Sequence, residues 1–125
     1  MDKNEISGAI VDAAMKVHSA ALGPGLLESA YAACLRHELI KRGLTVASEA
    51  PVPVVYDGIK LEAGYKLDLL VEDTVVVELK AIEALAPIHQ AQIISYLKLA
   101  HKPIGLLIHF HSLHLKDDIK GSLSN

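Results

Sequence analysis

The fold of this chain is decided by residues 64–80, Gly64-Tyr-Lys-Leu-Asp-Leu-Leu-Val-Glu-Asp-Thr-Val-Val-Val-Glu-Leu-Lys80. Two runs of apolar and β-branched residues flank the polar sequence Glu72-Asp73-Thr74, so the stretch predicts a β-hairpin with a three-residue turn. This turn length pairs Val71 with Val75 and sets the register of the whole hairpin. A two-residue turn would move every residue of one strand to the opposite face.

The polar residues of this hairpin predict a binding site. Strand side chains alternate between two faces, and the even positions Lys66, Asp68, Glu78 and Lys80 would share one face, with Asp68 directly opposite Glu78. Two carboxylates this close repel each other unless a proton or a cation lies between them. A hard divalent cation with oxygen ligands satisfies that requirement. The odd positions predict one continuous apolar face: Tyr65, Leu67, Leu69, Val71, Val75, Val77, Leu79 and Ala81.

Length and composition predict one globular domain over residues 1–125. Of the 125 residues, 51% are hydrophobic and 22% are charged, which favours a compact chain over a disordered one. The net charge of −3 gives no overall attraction for nucleic acid, so such binding would need a local patch or a bound metal. Trp is absent and there are only four Tyr and one Phe, which leaves few platforms for base stacking.

The sequence also predicts a cytoplasmic protein. Cys34 is the single cysteine and cannot form an internal disulfide, which fits a reducing compartment. The first residues lack the basic and then apolar layout of a signal peptide. No apolar run approaches the ~20 residues that a membrane helix requires, so no membrane association is expected.

The periodicity of apolar residues predicts the order helix, helix, three strands, helix, strand, and therefore an α/β fold with a mixed sheet flanked by helices. The sequence Gly23-Pro24 is expected to end the first helix, and Pro51 and Pro53 favour an edge position for the first strand. The segment after Leu115 is polar and is expected to be weakly ordered. The predicted ranges are 4–21 and 26–42 for the helices, 45–55 for an extended segment, 60–71 and 74–82 for the hairpin, 86–100 for the third helix and 104–108 for the last strand.

Hydrolysis of a phosphodiester needs a divalent ion held by carboxylates and a cation that stabilises the developing charge. Asp68 and Glu78 supply carboxylates, the backbone carbonyl of Leu79 supplies a third oxygen, and Lys80 shares the face of Glu78. The pattern Asp-x9-Glu-x-Lys resembles the signature of the PD-(D/E)XK nuclease superfamily. The resemblance implies a restriction-endonuclease-like α-β-β-β-α-β core, here with an extra N-terminal helix. It also implies Mg²⁺ or Mn²⁺ as cofactor and nucleic acid, with DNA expected, as substrate.

Two further motifs support this resemblance. Gln92 and Tyr96 lie four residues apart on the third helix, as in the extra Gln-xxx-Tyr motif of the RecB-like branch, which implies that both lie beside the metal site. The sequence Gly25-Leu-Leu-Glu28-Ser-Ala-Tyr31 resembles the motif of the GxxExxY protein family within the same superfamily, over roughly residues 6–116. This resemblance makes Glu28 the acidic residue of the first core helix and a metal ligand.

The chain departs from the pattern of these relatives at three places. Leu67 replaces the Pro that precedes the first acid in the superfamily. The last core strand ends in His109-Phe110-His111 where the resemblance leads us to expect Asn-Phe. Gly121 follows Ile119-Lys120 in place of an Arg, so any phosphate contact made by that Arg in relatives is missing.

Structural explanations compete with these functional ones. Asp68 and Glu78 could form ordinary cross-strand ion pairs with Lys66 and Lys80, worth only ~0.2–1 kcal/mol each. Glu28 lies in the first turn of a helix, where the helix dipole favours an acid in any protein. Tyr96 could be an interior aromatic residue with Gln92 as its partner.

Three histidines suggest a zinc site as a further alternative. His109 and His111 share a strand face and His114 follows three residues later, but a structural zinc site needs four ligands and no Cys pair is present. The leading hypothesis remains a Mg²⁺- or Mn²⁺-dependent nuclease. The alternatives are a non-catalytic module of the same fold that binds protein or nucleic acid, and a hydrolase of a small phosphorylated compound. The small size of the chain also suggests a homodimer that presents two sites.

Overall fold

The protein forms a five-stranded mixed sheet with strand order β1-β2-β3-β4-β5. The structure, a computed structural model, describes residues 1–19, 25–112 and 114–124; the sequence Gly23-Pro24, expected to end the first helix, lies outside these ranges. β1, β2 and β3 are antiparallel neighbours, β4 is parallel to β3, and β5 is antiparallel to β4. The elements are α1 (Lys3–Val17), α2 (Glu28–Lys41), β1 (Val46–Tyr56), β2 (Ile59–Val71), β3 (Val75–Lys80), α3 (Pro87–Ala100), β4 (Ile104–His109), a 3₁₀ turn (Leu115–Asp118) and β5 (Ile119–Leu123).

This architecture confirms the predicted α/β class and the α-β-β-β-α-β core behind an additional N-terminal helix. β1 is an edge strand, as its two prolines indicated, and Pro87 opens α3 at the position where its missing N–H does no harm. None of the described helices is long and apolar enough to cross a bilayer.

Helices cover both faces of the sheet. The α1/α2 face carries the larger cluster of buried side chains, to which β3 contributes Val75, Val77 and Leu79. The α3 face carries a smaller cluster, in which Val76 of β3 packs with Ile93 of α3. Every residue of β4 is buried, as expected for a strand that is covered on both sides.

The expectation of a weakly ordered tail is wrong. Residues 119–123 form β5, which pairs with β4 from Ile108 opposite Ile119 to Ile104 opposite Leu123. The free edge of a buried strand needs partners for its N–H and C=O groups, and a polar segment supplies them as well as an apolar one. Side-chain polarity was therefore a poor guide to the order of this segment.

The continuous apolar face predicted for the hairpin is wrong at Tyr65 and Leu67. The cross-strand pair Val46 and Val71 packs on the α1/α2 face, whereas the pair Ala50 and Leu67 packs on the α3 face. Because four residues separate the two pairs in each strand, regular alternation would place both pairs on one face. Both strands therefore switch faces between them.

The switch coincides with an irregular position in β1. Glu49 has φ 50°, which a non-glycine residue adopts only at a cost, and the ladder has no pair between Glu49 and Asp68. The switch turns Lys66 away from the face that carries Glu78 and Lys80. The prediction that Lys66 shares the polar face of the acids is therefore wrong.

Gly105 of β4 lies where α3 approaches the sheet most closely. A Cβ at this position would lie 2.8 Å from Cδ1 of Ile93 and 3.2 Å from a methyl carbon of Leu97, both in the buried cluster. We expect Gly105→Ala to lower the free energy of unfolding by about 1–3 kcal/mol, because the packed helix must shift to admit the methyl group. Gly121→Ala in β5 is the control, since its nearest neighbour is 3.9 Å away. Urea unfolding measures both, and equal midpoints for the two variants would contradict this packing.

Candidate active site at the β2–β3 hairpin

The two hairpin acids meet as the sequence predicts. Val71 pairs with Val75 and Leu69 with Val77, and Asp68 and Glu78 are the next residues beyond this ladder. A carboxylate oxygen of Asp68 accepts a hydrogen bond from the backbone N–H of Leu79 at 2.8 Å. Oε1 of Glu78 accepts one from the backbone N–H of Asp68 at 3.2 Å. Each acid is thus held by the backbone of the opposite strand, which fixes the two carboxyl groups side by side.

The electrostatic environment of the pair is unfavourable for two negative charges. Burial, together with the charge of Asp68, raises the pKa of Glu78 to about 8, and only 7% of Glu78 is exposed. Burial also raises the pKa of Asp68, with the charge of Glu28 acting in the same direction. Within the described residues, no Lys or Arg nitrogen lies within 4.0 Å of either carboxylate. The explanation by ordinary ion pairs with Lys66 and Lys80 is therefore wrong.

Glu28 connects α2 to the end of β3. It is the first residue of α2, and its Oε1 accepts a hydrogen bond from the backbone N–H of Ala81 at 3.2 Å. Its charge raises the pKa of both Asp68 and Glu78, so the three acids interact electrostatically. Glu28 is exposed, unlike the hairpin pair. Glu28 therefore lies at the solvent-exposed entrance of the site, on the side of α2.

The other residues of the Gly25–Tyr31 segment position this glutamate. Gly25 has φ 107°, a conformation that L-residues rarely adopt. The hydroxyl of Tyr31 accepts a hydrogen bond from the backbone N–H of Leu26 at 3.1 Å, and the buried Tyr31 ring stacks on Phe110 with centroids 4.2 Å apart. The segment before α2 is thereby tied to the core one turn from Glu28.

Lys80 and Tyr96 interact electrostatically with the two acids. No such interaction is found for Gln92 among the described residues. Lys80 is half-buried, and its positive charge lowers the pKa of both Asp68 and Glu78. Tyr96 is half-buried on α3, and its pKa is raised by burial and by the charge of Glu78. Gln92 lies one turn earlier on α3 and is exposed, and no side-chain hydrogen bond of Gln92 is formed within the described ranges.

Two clefts open on either side of Glu28. The larger has a volume of about 730 Å³ and lies between α2 and the paired strands β1 and β2, with Asp68 among its lining residues. The smaller, about 590 Å³, lies between the start of α2, Ala81 after β3 and His111 after β4. Glu28 borders both clefts, whereas Asp68 lines the larger one.

The three candidate zinc ligands do not converge. His109 is buried and its Nε2 lies 2.6 Å from the carbonyl oxygen of Ile82, while Nε2 of His111 lies 3.2 Å from that of Leu26. His114 is exposed. In the part of the chain that the structure describes, no three His, Cys, Asp or Glu side chains are grouped so as to hold a metal ion. The zinc hypothesis is therefore wrong for these residues.

The hairpin acids nevertheless fit a Mg²⁺-type ion. Such ions keep several water ligands and are held by one or two carboxylates, so a three-acid cage is not required. Asp68 and Glu78 offer two hard oxygen donors, and the backbone carbonyl of Leu79 adjoins them in sequence. Their raised pKa values mean that an additional positive charge would relieve the repulsion between them.

Three features of the site were missed from the sequence. Tyr65 faces α3 and contacts Tyr96, with ring centroids 5.8 Å apart, because of the face switch. The irregular position of β1 is Glu49, opposite Asp68, and no sequence signal marks a positive φ at a glutamate. Arg36 lines the larger cleft. Its spacing of two helical turns from Glu28 could have indicated this position.

One comparison with known proteins gave a match over most of the chain. Residues 4–121 match the family model of the PD-(D/E)XK nuclease superfamily. Searches among curated proteins and among solved structures gave no match. The match spans α1 to β5 and includes both hairpin acids. The chain therefore belongs to the PD-(D/E)XK nuclease superfamily.

Proposed function

We propose that residues 1–125 act as one divalent-metal-dependent nuclease domain that hydrolyses phosphodiester bonds, with DNA as the expected substrate. The observation that carries this proposal is the pair Asp68 and Glu78, held side by side by backbone hydrogen bonds with no lysine or arginine within 4.0 Å of either carboxylate in the described chain. Nucleases of this superfamily generally use divalent metals. A cytoplasmic location stays a prediction that rests on the single cysteine.

Each residue of the site has a proposed role. Asp68, Glu78 and the carbonyl of Leu79 would hold Mg²⁺ or Mn²⁺, with Glu28 at the mouth as a further ligand, directly or through water. The ion would supply Lewis-acid polarisation of the phosphate and a more acidic water. Lys80 would orient the attacking water and stabilise the charge that develops on the phosphate. Tyr96 and Gln92 would form the wall on the side of α3.

We also propose that the chain belongs to the GxxExxY family within the superfamily. Two observations support this: Gly25 adopts the positive φ that favours glycine, and the glutamate and tyrosine of the motif both hold the start of α2 in place. The motif would thus serve to set Glu28 against the end of β3.

A cleavage assay tests the proposed function. The protein is incubated with plasmid DNA, single-stranded DNA, RNA and a nucleoside triphosphate, each with Mn²⁺, with Mg²⁺ and with EDTA. We expect cleavage of at least one polynucleotide that depends on the metal and is abolished by EDTA. Hydrolysis of the nucleotide alone would favour a small phosphorylated substrate. No turnover of any substrate would contradict the proposal and favour a non-catalytic module.

A homodimer remains part of the proposal. The outer part of the β1–β2 hairpin carries two apolar cross-strand pairs on one face, Val54 with Leu61 and Tyr56 with Ile59; Val54 is half-buried and the other three side chains are exposed. Pro51 disfavours pairing along the edge of β1, and we therefore propose the apolar face of the hairpin as the contact surface for a second copy. Light scattering at assay concentration should give twice the mass of 13.4 kDa, and a monomeric mass would rule the dimer out.

A further inference from the structure

The larger cleft beside Glu28 contains a cation with no partner in the structure's described ranges. Arg36 lines the cleft, its side chain is exposed, and no described carboxylate lies within 4.0 Å of it. It is the only Lys or Arg among the described lining residues. By contrast, Arg42 on the same helix forms an ion pair with Glu38 at 3.1 Å. The charge of Arg36 is thus available to a ligand.

The position of Arg36 relative to the acids is set by the helix. Glu28, Ala32 and Arg36 are spaced by four residues and line the same side of α2. Eight residues of helix span about 12 Å, so Arg36 lies roughly that far along α2 from Glu28.

The described lining of the cleft carries one basic residue, Arg36, and three acidic residues, Glu28, Glu49 and Asp68, so a backbone phosphate would be held at the Arg36 end. On α2 the lining residues are small: Ser29, Ala32 and Ala33. Ser48 of β1 faces them across the cleft, so hydroxyl donors are present on both walls. No aromatic side chain lines the cleft among the described residues, so it lacks a platform for base stacking. Arg and Ser side chains are common contacts to phosphate and sugar, which carry no sequence information.

The volume of the cleft limits what can enter it. About 730 Å³ lies within the range of sites that enclose a compact small ligand. A segment of one strand fits this space, whereas a duplex must be gripped by a much wider surface. Glu49 and Asp68, the residues at which the faces switch, both line the cleft.

We infer that the cleft between α2 and the β1–β2 strands is a binding track for a single strand of nucleic acid, in which Arg36 contacts a backbone phosphate at the end of the cleft remote from Glu28. The inference rests on the proposed function, since it extends the same site and names the strand that enters it. Arg36 is a positioning residue in this arrangement and takes no part in bond cleavage. Binding through the track is independent of base identity.

Binding of a labelled oligonucleotide tests the track without requiring cleavage. The probe is a fluorescein-labelled thymidine oligonucleotide, titrated with protein in EDTA over a series of salt concentrations and read by fluorescence anisotropy. We expect Arg36→Ala to weaken binding about tenfold at low salt and to reduce the slope of log affinity against log salt by about 0.7, the value for one phosphate contact on a single strand. Arg36→Lys should restore most of the slope, because it keeps the charge.

Lys41→Ala is the matched control, because it removes one positive charge from an exposed position at the end of the same helix, away from the cleft. Circular dichroism confirms that each variant is folded. An affinity and slope for Arg36→Ala equal to those of the wild type would overturn the inference. An equal loss in both variants would also overturn it, since it would show attraction to net charge alone. A hairpin duplex bound as tightly as the single strand would overturn the assignment to one strand.

The cleavage assay separates the failure of this inference from the failure of the proposed function. If the wild type cleaves DNA, Arg36→Ala should raise KM about tenfold and leave kcat within twofold, because the contact is remote from the reacting atoms. If this variant cleaves DNA with an unchanged KM, the binding track is contradicted and the proposed nuclease activity still holds. If the protein cleaves no substrate but its binding of the oligonucleotide depends on Arg36, the binding track is supported and the proposed nuclease activity is contradicted.

Discussion

Glu78→Gln and Asp68→Asn are each expected to reduce metal-dependent cleavage by at least about 100-fold. Even residues that only support a metal ligand commonly change activity by 10- to 100-fold, and these two carboxylates are the proposed ligands themselves. Both substitutions keep the shape of the side chain and an oxygen that can accept the hydrogen bond from the opposite strand. A loss of activity would therefore reflect the loss of charge and of a metal ligand, and not a distorted hairpin.

Two control variants make this test specific. Glu62→Gln removes a carboxylate from an exposed position of β2, outside the site, and should retain full activity. The pair Lys80→Met and Lys66→Met separates the lysine beside the acids from the one that the face switch turns away, and only the first should reduce cleavage. Activity is measured with the same metal and substrate for all variants. If both acid variants keep wild-type activity, the assignment of the site is wrong.

The second large effect concerns stability. In the absence of metal, Glu78→Gln should raise the free energy of unfolding at pH 8.5 by roughly 2–4 kcal/mol. The pKa of Glu78 rises from 4.5 in an unperturbed chain to about 8 in the folded protein. The folded state therefore binds a proton that the unfolded state releases, and the contribution of this group is fully present below about pH 4.5. It is lost as the pH rises toward 8, and Gln, which does not titrate, removes this loss.

Urea unfolding at pH 5 and pH 8.5 in EDTA measures this effect. The stability gap between the variant and the wild type should widen as the pH increases, and saturating Mn²⁺ should stabilise the wild type alone. Glu62→Gln serves again as the control, because the carboxylate that it removes is exposed. If the free energy of unfolding changes with pH in the same way for the wild type and for Glu78→Gln, ionisation of Glu78 does not destabilise the folded protein.

The sequence was sufficient for the three helices, for β1 to β4 and for the register of the β2–β3 hairpin. The three-residue turn fixed the pairing of Val71 with Val75, and from that pairing the meeting of Asp68 and Glu78 follows by counting. Pro87 marked the start of α3, and the apolar run 104–108 indicated a strand that is buried on both faces. These features depend on local patterns, which a single sequence contains in full.

The features that could not be predicted depend on contacts between distant parts of the chain. The positive φ of Glu49 and the accompanying switch of faces arise from two strands acting together, so parity counted along β2 alone placed Tyr65, Lys66 and Leu67 on the wrong faces. The hydrogen bond from Ala81 to Glu28 joins residues 53 positions apart. β5 forms because β4 offers a free edge, which the composition of the tail does not reveal.

Isothermal titration of the protein with Mn²⁺ tests most directly whether the two hairpin acids form a cation site. At pH 7 the wild type should bind one ion per chain and release about one proton, because Glu78 with its pKa of about 8 must lose its proton to become a ligand. Affinity should rise as the pH approaches 8, and Asp68→Asn and Glu78→Gln should abolish the binding. An ion bound with equal affinity by the wild type and both variants, or no ion bound at pH 8.5, would contradict the account.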